Sequence, residues 1–96
     1  MSETIDEITI DYEEGDILTT KQLDKVILTR GAWTTILFKY QDWDRAKEVY
    51  GDNKYSIRRY QKRNGQYMQK SKFNISNKAQ AEKIVNALQS WFTEEV

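Results

Sequence analysis

Residues 54–92, KYSIRRYQKRNGQYMQKSKFNISNKAQAEKIVNALQSWF, decide how this chain folds. Asn64-Gly65 sits between two runs rich in β-branched and aromatic residues, and a two-residue type I′ turn needs positive φ at both central positions. The pair therefore predicts a hairpin of strands over 55–62 and 66–75. If Asn64-Gly65 is the turn, Arg63 faces Gln66, Lys62 faces Tyr67, Tyr60 faces Gln69, Arg58 faces Ser71 and Ser56 faces Phe73. One side of the hairpin then carries Tyr60, Tyr67, Phe73 and Ile75 as core. The other carries Arg59, Arg63, Lys70 and Lys72, with Tyr55, Ile57 and Met68 among them. Ile57 is out of place on that basic side, and a bulge at Arg58-Arg59 would turn it inward. After the hairpin, Ser76 or Asn77 is a natural N-cap, and Asn77 with Gln80 resembles a capping box. A helix follows over 78–92, with Ala81, Ile84, Val85, Leu88, Trp91 and Phe92 on one stripe at three- and four-residue steps.

Upstream, residues 33–43 (WTTILFKYQDW) form the strongest strand. Ile36, Phe38 and Tyr40 make one apolar row, while Thr35, Lys39 and Gln41 are polar, as in a half-buried strand. Residues 26–29 are the surest part of a strand over 17–29, joined to the next by a turn at residues 30–32. Residues 8–12 alternate and predict a short strand, followed by turn chemistry in residues 13–16. Residues 44–53 lack a period of two and read as a loop with room for one helical turn. Strands followed by one helix, without βαβ alternation, give an α+β class: an antiparallel β-sheet of four to six strands and one C-terminal amphipathic helix packed on one face. The 96 residues make a single domain, with residues 1–16 either ordered or a loose acidic arm.

Composition bounds the function. There is no cysteine and no histidine, which removes disulfides, thiolate metal sites, the usual general base near neutral pH and the commonest metal ligand. No phosphate-cradling glycine motif occurs. Asp11, Glu13, Glu14 and Asp16 lack the spacing of a calcium loop and read as a solvated turn. These features point to binding rather than catalysis, with neither metal nor cofactor. The chain shows no long apolar run and no leader-like N-terminus, so the expectation is a cytoplasmic protein with no membrane partner.

The net charge of zero hides a strong asymmetry. Residues 1–24 hold eight acids (Glu3, Asp6, Glu7, Asp11, Glu13, Glu14, Asp16 and Asp24) against Lys21. Residues 54–78 hold eight bases (Lys54, Arg58, Arg59, Lys62, Arg63, Lys70, Lys72 and Lys78) and no acid. Cations interleaved with Tyr55, Tyr60, Tyr67 and Phe73 supply the two ingredients of a single-strand-binding sheet, phosphate contacts and stacking faces. Two plainer readings stay open: the cations are a solvated face, or the acidic strand pairs with the basic hairpin within one domain or across a dimer. Trp91 reads as core on the helix stripe. Trp33 and Trp43, with Leu37, lie opposite the Ile36–Phe38–Tyr40 row; they form either an exposed apolar interface or the floor of a second layer.

Ile57-Arg58-Arg59-Tyr60, the Gly65 turn, Lys70-Ser71-Lys72 and Phe73-Asn74-Ile75-Ser76 before a helix resemble the core of the positive-cofactor-four transcriptional coactivators. That resemblance covers about residues 25–92. It implies a helix-mediated dimer that binds single-stranded DNA on a curved basic sheet. Arg58, Arg59, Lys62, Lys70 and Lys72 would meet phosphates, with Tyr60 or Trp33 stacking on bases. The family's glycine-and-basic stretch is matched by Lys70-Ser71-Lys72 without the glycine. Arg59-Tyr60, Gly65, Lys70-Ser71-Lys72-Phe73 and Ala79 are also similar to the arm-type DNA-binding domain of phage integrases, over the C-terminal half. The leading expectation is a small nucleic-acid-binding protein preferring single strands, possible homodimer included, through Arg58, Arg59, Lys62, Arg63, Lys70, Lys72, Tyr60 and Trp33. The alternative is a protein–protein or homodimer module using Trp33, Leu37 and Trp43.

Overall fold

The computed structural model describes residues 3–94. The Asn64-Gly65 turn has φ of 51° and 78°, the left-handed pair that a type I′ turn requires. It joins β5 (Lys54–Arg63) to β6 (Gln66–Ile75). Before them come β1 (Tyr12–Glu14), β2 (Ile17–Thr29), β3 (Trp33–Asp44) and the short β4 (Val49–Tyr50). All pairings are antiparallel, in the order β1-β2-β3-β5-β6, with β4 folded back on the end of β3. The sheet curls into a half-barrel and is followed by one helix, α1 (Lys78–Glu94), which is the α+β layout the sequence predicts.

The residues between β3 and β5 are more ordered than a loop. Strand β3 runs to Asp44, whose Oδ1 accepts the backbone N–H groups of Ala46 and Lys47, and β4 follows the turn. The predicted strand over 8–12 also differs: only Tyr12 enters β1, and residues 8–11 form no ladder. A single 3₁₀ turn, Ile5–Glu7, precedes them. Of the acidic arm 1–16, the part from Glu3 onward is therefore structured; Met1 and Ser2 lie outside the described residues.

Antiparallel partners share a face, so the pairing register assigns every side chain to one of two faces. On the first face Ile27, Ile36, Arg58 and Lys72 form one cross-strand row, and Lys25, Phe38, Ser56 and Asn74 the next. The N-terminal segment lies across this face as a strap. Ile8 and Ile10 are buried with Ile36, Phe38, Tyr40, Tyr60 and Tyr67, and Ile5 packs against the same cluster. This strap face holds the main core, on the even row of β3 that the sequence marks as inward.

On the opposite, helix face, one row runs Val26, Leu37, Ile57, Phe73, and another runs Lys39, Tyr55, Ile75. The β5–β6 register follows the turn as far as Tyr60 opposite Gln69 and then slips by one. Lys70 is the extra residue of a bulge, so Arg58 faces Lys72 and Ser56 faces Asn74. The slip moves Phe73 and Ile75 off the Tyr60 side and carries Lys72 onto it. Ile57 does not turn inward; it gains apolar company on its own face instead. Three further bulges in β2, at Thr19 against β1 and at Leu23 and Leu28 against β3, help the sheet curl.

Asn77 caps α1: its Oδ1 accepts the Gln80 N–H at 2.8 Å, while Gln80 Oε1 accepts the Ser76 N–H at 2.9 Å. Only the first turns of the helix dock, with Ala81 and Ile84 half-buried near Leu28, Leu37, Ile57 and Ile75. Val85 and Leu88 line the cavity between helix and sheet but stay half-exposed, and the stripe opens to solvent beyond them. Trp91 and Phe92 are 58% and 59% exposed, so Trp91 is not core as its spacing suggests. The molecule is a plate of 52 × 40 × 17 Å, too thin for full layers on both faces of a sheet.

Candidate functional site

Sheet order sends the acidic and basic segments to opposite edges. Strands β1 and β2 form one edge, β5 and β6 the other, and β3 lies between them. The acidic strands thus do not pair with the basic hairpin within the chain. Three ion pairs occur among the described residues: Arg45 with Glu14, Lys54 with Asp42 and Lys78 with Glu82. None involves Arg58, Arg59, Lys62, Arg63, Lys70 or Lys72.

Those six cations do not all share a face. Arg58 and Lys72 stand directly opposite each other on the strap face. Lys62 joins them, its ammonium 5.4 Å from the centroid of the Tyr67 ring. Arg59 and Arg63 belong to the helix face by alternation, and Lys70 is the bulge residue. Among the described residues the Arg58 guanidinium is held by neutral partners: Nε donates to Ser56 Oγ at 3.1 Å and Nη1 to Gln69 Oε1 at 3.1 Å. Ser56 is fully buried and donates in turn to Asn74 Oδ1 at 2.7 Å. The network fixes the direction of Arg58 without neutralising it. Two like charges directly across a ladder repel, a cost that a bound anion would offset.

Lys54 continues the strap face beside Tyr40. It donates to Asp42 Oδ2 at 3.0 Å, and this hydrogen bond holds its pKa above the ordinary lysine value. Burial raises the hydroxyl pKa of Tyr60, with the Arg58 charge opposing, and also that of Tyr40, where Asp42 adds to the rise.

The aromatic candidates divide sharply. Tyr60 is 6% exposed and Tyr67 is also buried, with its hydroxyl donating to the Gly31 carbonyl at 3.2 Å. Neither offers a free ring face to a base. Trp33 is 42% exposed on the helix face, with the Arg59 guanidinium 4.6 Å from its ring centroid.

Trp33, Leu37 and Trp43 share the helix face but do not form a continuous exposed row. Trp43 packs edge-on against Tyr50, at 5.0 Å between ring centroids. Leu37 lines an apolar cavity of about 390 Å³ with Leu28, Ile57, Ile75, Ala81 and Ile84. The open apolar surface adjoins this cavity: Val85 and Leu88, which also line it, then Trp91 and Phe92 on the helix, with Val26, Leu28 and Phe73 on the sheet. Sequence reasoning missed this surface by assigning the helix stripe to the core. The available signal was that β3 and β5 carry apolar residues in both parities, more than one helix can cover.

Among the described residues no helix is long and apolar enough to cross a membrane, and no three carboxylates gather as a metal site would need. Comparison of the chain with protein-family models, with curated proteins and with solved structures finds no match.

Proposed function

We propose that this chain is a small, non-catalytic nucleic-acid-binding protein that prefers single strands and meets their phosphates with the cations of β5 and β6. The observation that carries this reading is the Arg58–Lys72 pair, two cations in direct cross-strand register, neither of them in an ion pair among the described residues. Arg58 is pre-oriented by Ser56 and Gln69, so little is lost in ordering it on a phosphate. With Tyr60 and Tyr67 buried, the strap face recognises backbone charge rather than bases. Stacking is left to Trp33 on the other face, and sequence preference should be weak.

Fluorescence anisotropy of a labelled oligonucleotide at several salt concentrations tests the reading. Engaging Arg58, Lys62 and Lys72 predicts a slope of log affinity on log salt of about −2, since each single-strand phosphate contributes roughly −0.7. Arg58→Gln with Lys72→Gln should weaken binding and flatten the slope. No binding at low salt, or affinity indifferent to salt, refutes it.

The exposed apolar surface supports a second, compatible reading, self-association through the helix face. Val85, Leu88, Trp91, Phe92, Val26, Leu28 and Phe73 together leave roughly 700 Å² of accessible surface, close to the about 800 Å² per partner of a stable interface. A second copy brings an equal apolar area, as a two-fold interface requires. Sedimentation should show a dimer that Leu88→Asp dissociates; a monomer at all concentrations rejects this reading.

A further inference from the structure

The strap carries acid onto the same face as the uncompensated cations, and it is held there firmly. Ile8 and Ile10 are 3% and 7% exposed. The Lys25 ammonium donates to three strap carbonyls, Ile5 at 3.0 Å, Asp6 at 3.0 Å and Ile8 at 2.8 Å, which uses all its protons. Gln22 fastens the other end, accepting from the Ile10 N–H at 3.1 Å and donating its own N–H to Asp11 at 2.7 Å.

These anchors fix the strap's direction. Residue 10 lies at the level of Gln22, Tyr40 and Lys54, and residues 5–8 lie one row further, at Lys25, Phe38 and Ser56. Ile5 and Ile27 both pack on the core cluster, and Ile27 begins the cross-strand row that ends in Arg58 and Lys72. Strand β2, where the strap is tied, is two strand spacings from β5, roughly 10 Å. That is about one Debye length at 0.1 M salt, close enough for carboxylates on the strap to act on phosphates at the cations. Glu3 and Asp6 are exposed there, and neither side chain is committed to a hydrogen bond or ion pair among the described residues. Glu7 is engaged in capping Thr4.

We infer that the acidic strap is a specificity element: Glu3 and Asp6 form a negative wall beside the Arg58–Lys72 track, admitting one phosphate chain and repelling the second chain of a duplex. This rests on the nucleic-acid reading above and supplies the source of its strand preference. A single strand lies along the cations with the wall to one side. A duplex is wider and brings its second row of phosphates toward the carboxylates.

The test compares wild type with Glu3→Gln/Asp6→Asn, using a labelled single strand and the matching blunt duplex at low and moderate salt. Both substitutions leave the Lys25 contacts in place, because those are made to backbone carbonyls. A carboxylate about 10 Å from a phosphate is worth roughly a twofold change in water. At the phosphates on the cations that gain is common to both forms, so the duplex gains relative to the single strand only through its second row, by about two- to fourfold at low salt. The gain should shrink as salt rises. Circular dichroism and thermal melting of the variant verify that the strap still docks; if it is released, Asp6→Asn alone is the variant read. An unchanged ratio, or equal gains for both forms, overturns the inference and leaves phosphate binding standing. Failure of both proteins to bind either form refutes the nucleic-acid reading itself, and the strap's role with it.

Discussion

Replacing Lys25 with methionine keeps the aliphatic stem and removes one ammonium that satisfies three carbonyls at 2.8–3.0 Å. Hydrogen bonds to a charged group contribute about 1.5–3 kcal/mol each when well buried. Here the Asp6 carbonyl bond is exposed and water can replace it, so the whole clamp is worth roughly 2–3 kcal/mol. For a domain of this size that lowers Tm by on the order of 10 °C or more. Urea denaturation of Lys25→Met, with Lys83→Met as an exposed control, gives the number. Hydrogen exchange at residues 5–11 then shows whether the strap opens by itself or the domain unfolds as a unit. A loss below about 0.5 kcal/mol, the ordinary range for a surface substitution, would refute the clamp and the fixed wall argued from it.

Gly65→Ala should destabilise by about 1–2 kcal/mol in chemical denaturation, because φ of 78° costs an L-residue that much while nothing lies near its missing Cβ. Tyr60 and Tyr40 have folded pKa values raised above the ordinary 10.0 by burial, so the folded state holds their protons more tightly than the unfolded chain does. Stability is therefore complete below about pH 10 and falls as pH climbs through the folded values. Denaturation at pH 8, 10 and 11 should show this fall, and Tyr60→Phe should reduce its steepness.

The parts of the fold set by local chemistry were legible in the chain. The turn at Asn64-Gly65 needs positive φ twice, the cap at Asn77 needs a side-chain acceptor, and the even row of β3 needs one apolar face. All three are decided within a few residues. The bulge at Lys70 was not legible, because a one-residue slip depends on what faces the hairpin from β3. Leu37 and Ile57 pair across β3 and β5 and favour an apolar neighbour, so Phe73 joins them and Lys72 changes sides. The same slip explains Ile57, whose conflict with a basic face came from an uninterrupted register. The strap was hidden for a different reason: residues 8–12 alternate as a strand would, and their isoleucines are indeed buried, but on a sheet face rather than in a ladder. Alternation reports burial of one side without naming the hydrogen-bond partner.

A chain with no net charge is an unpromising polyanion binder until the sheet order is considered. From β1 to β6 is four strand spacings, roughly 20 Å, or about two Debye lengths at 0.1 M salt. Across that distance the acids of the first edge cannot quench the field of the second, so neutrality of the whole permits a strongly basic edge. Had β1 or β2 paired with β6 to close a barrel, acids and bases would have met in the ladder and the cations would have been consumed. The open half-barrel keeps them apart, and the strap is an acidic segment that lies on the same sheet face as Arg58 and Lys72. It reaches the strap face through buried isoleucines and carbonyls rather than through ion pairs. On the proposed reading, acid brought close without being paired to the base leaves both charges available, one to attract a phosphate chain and the other to limit how much of it fits.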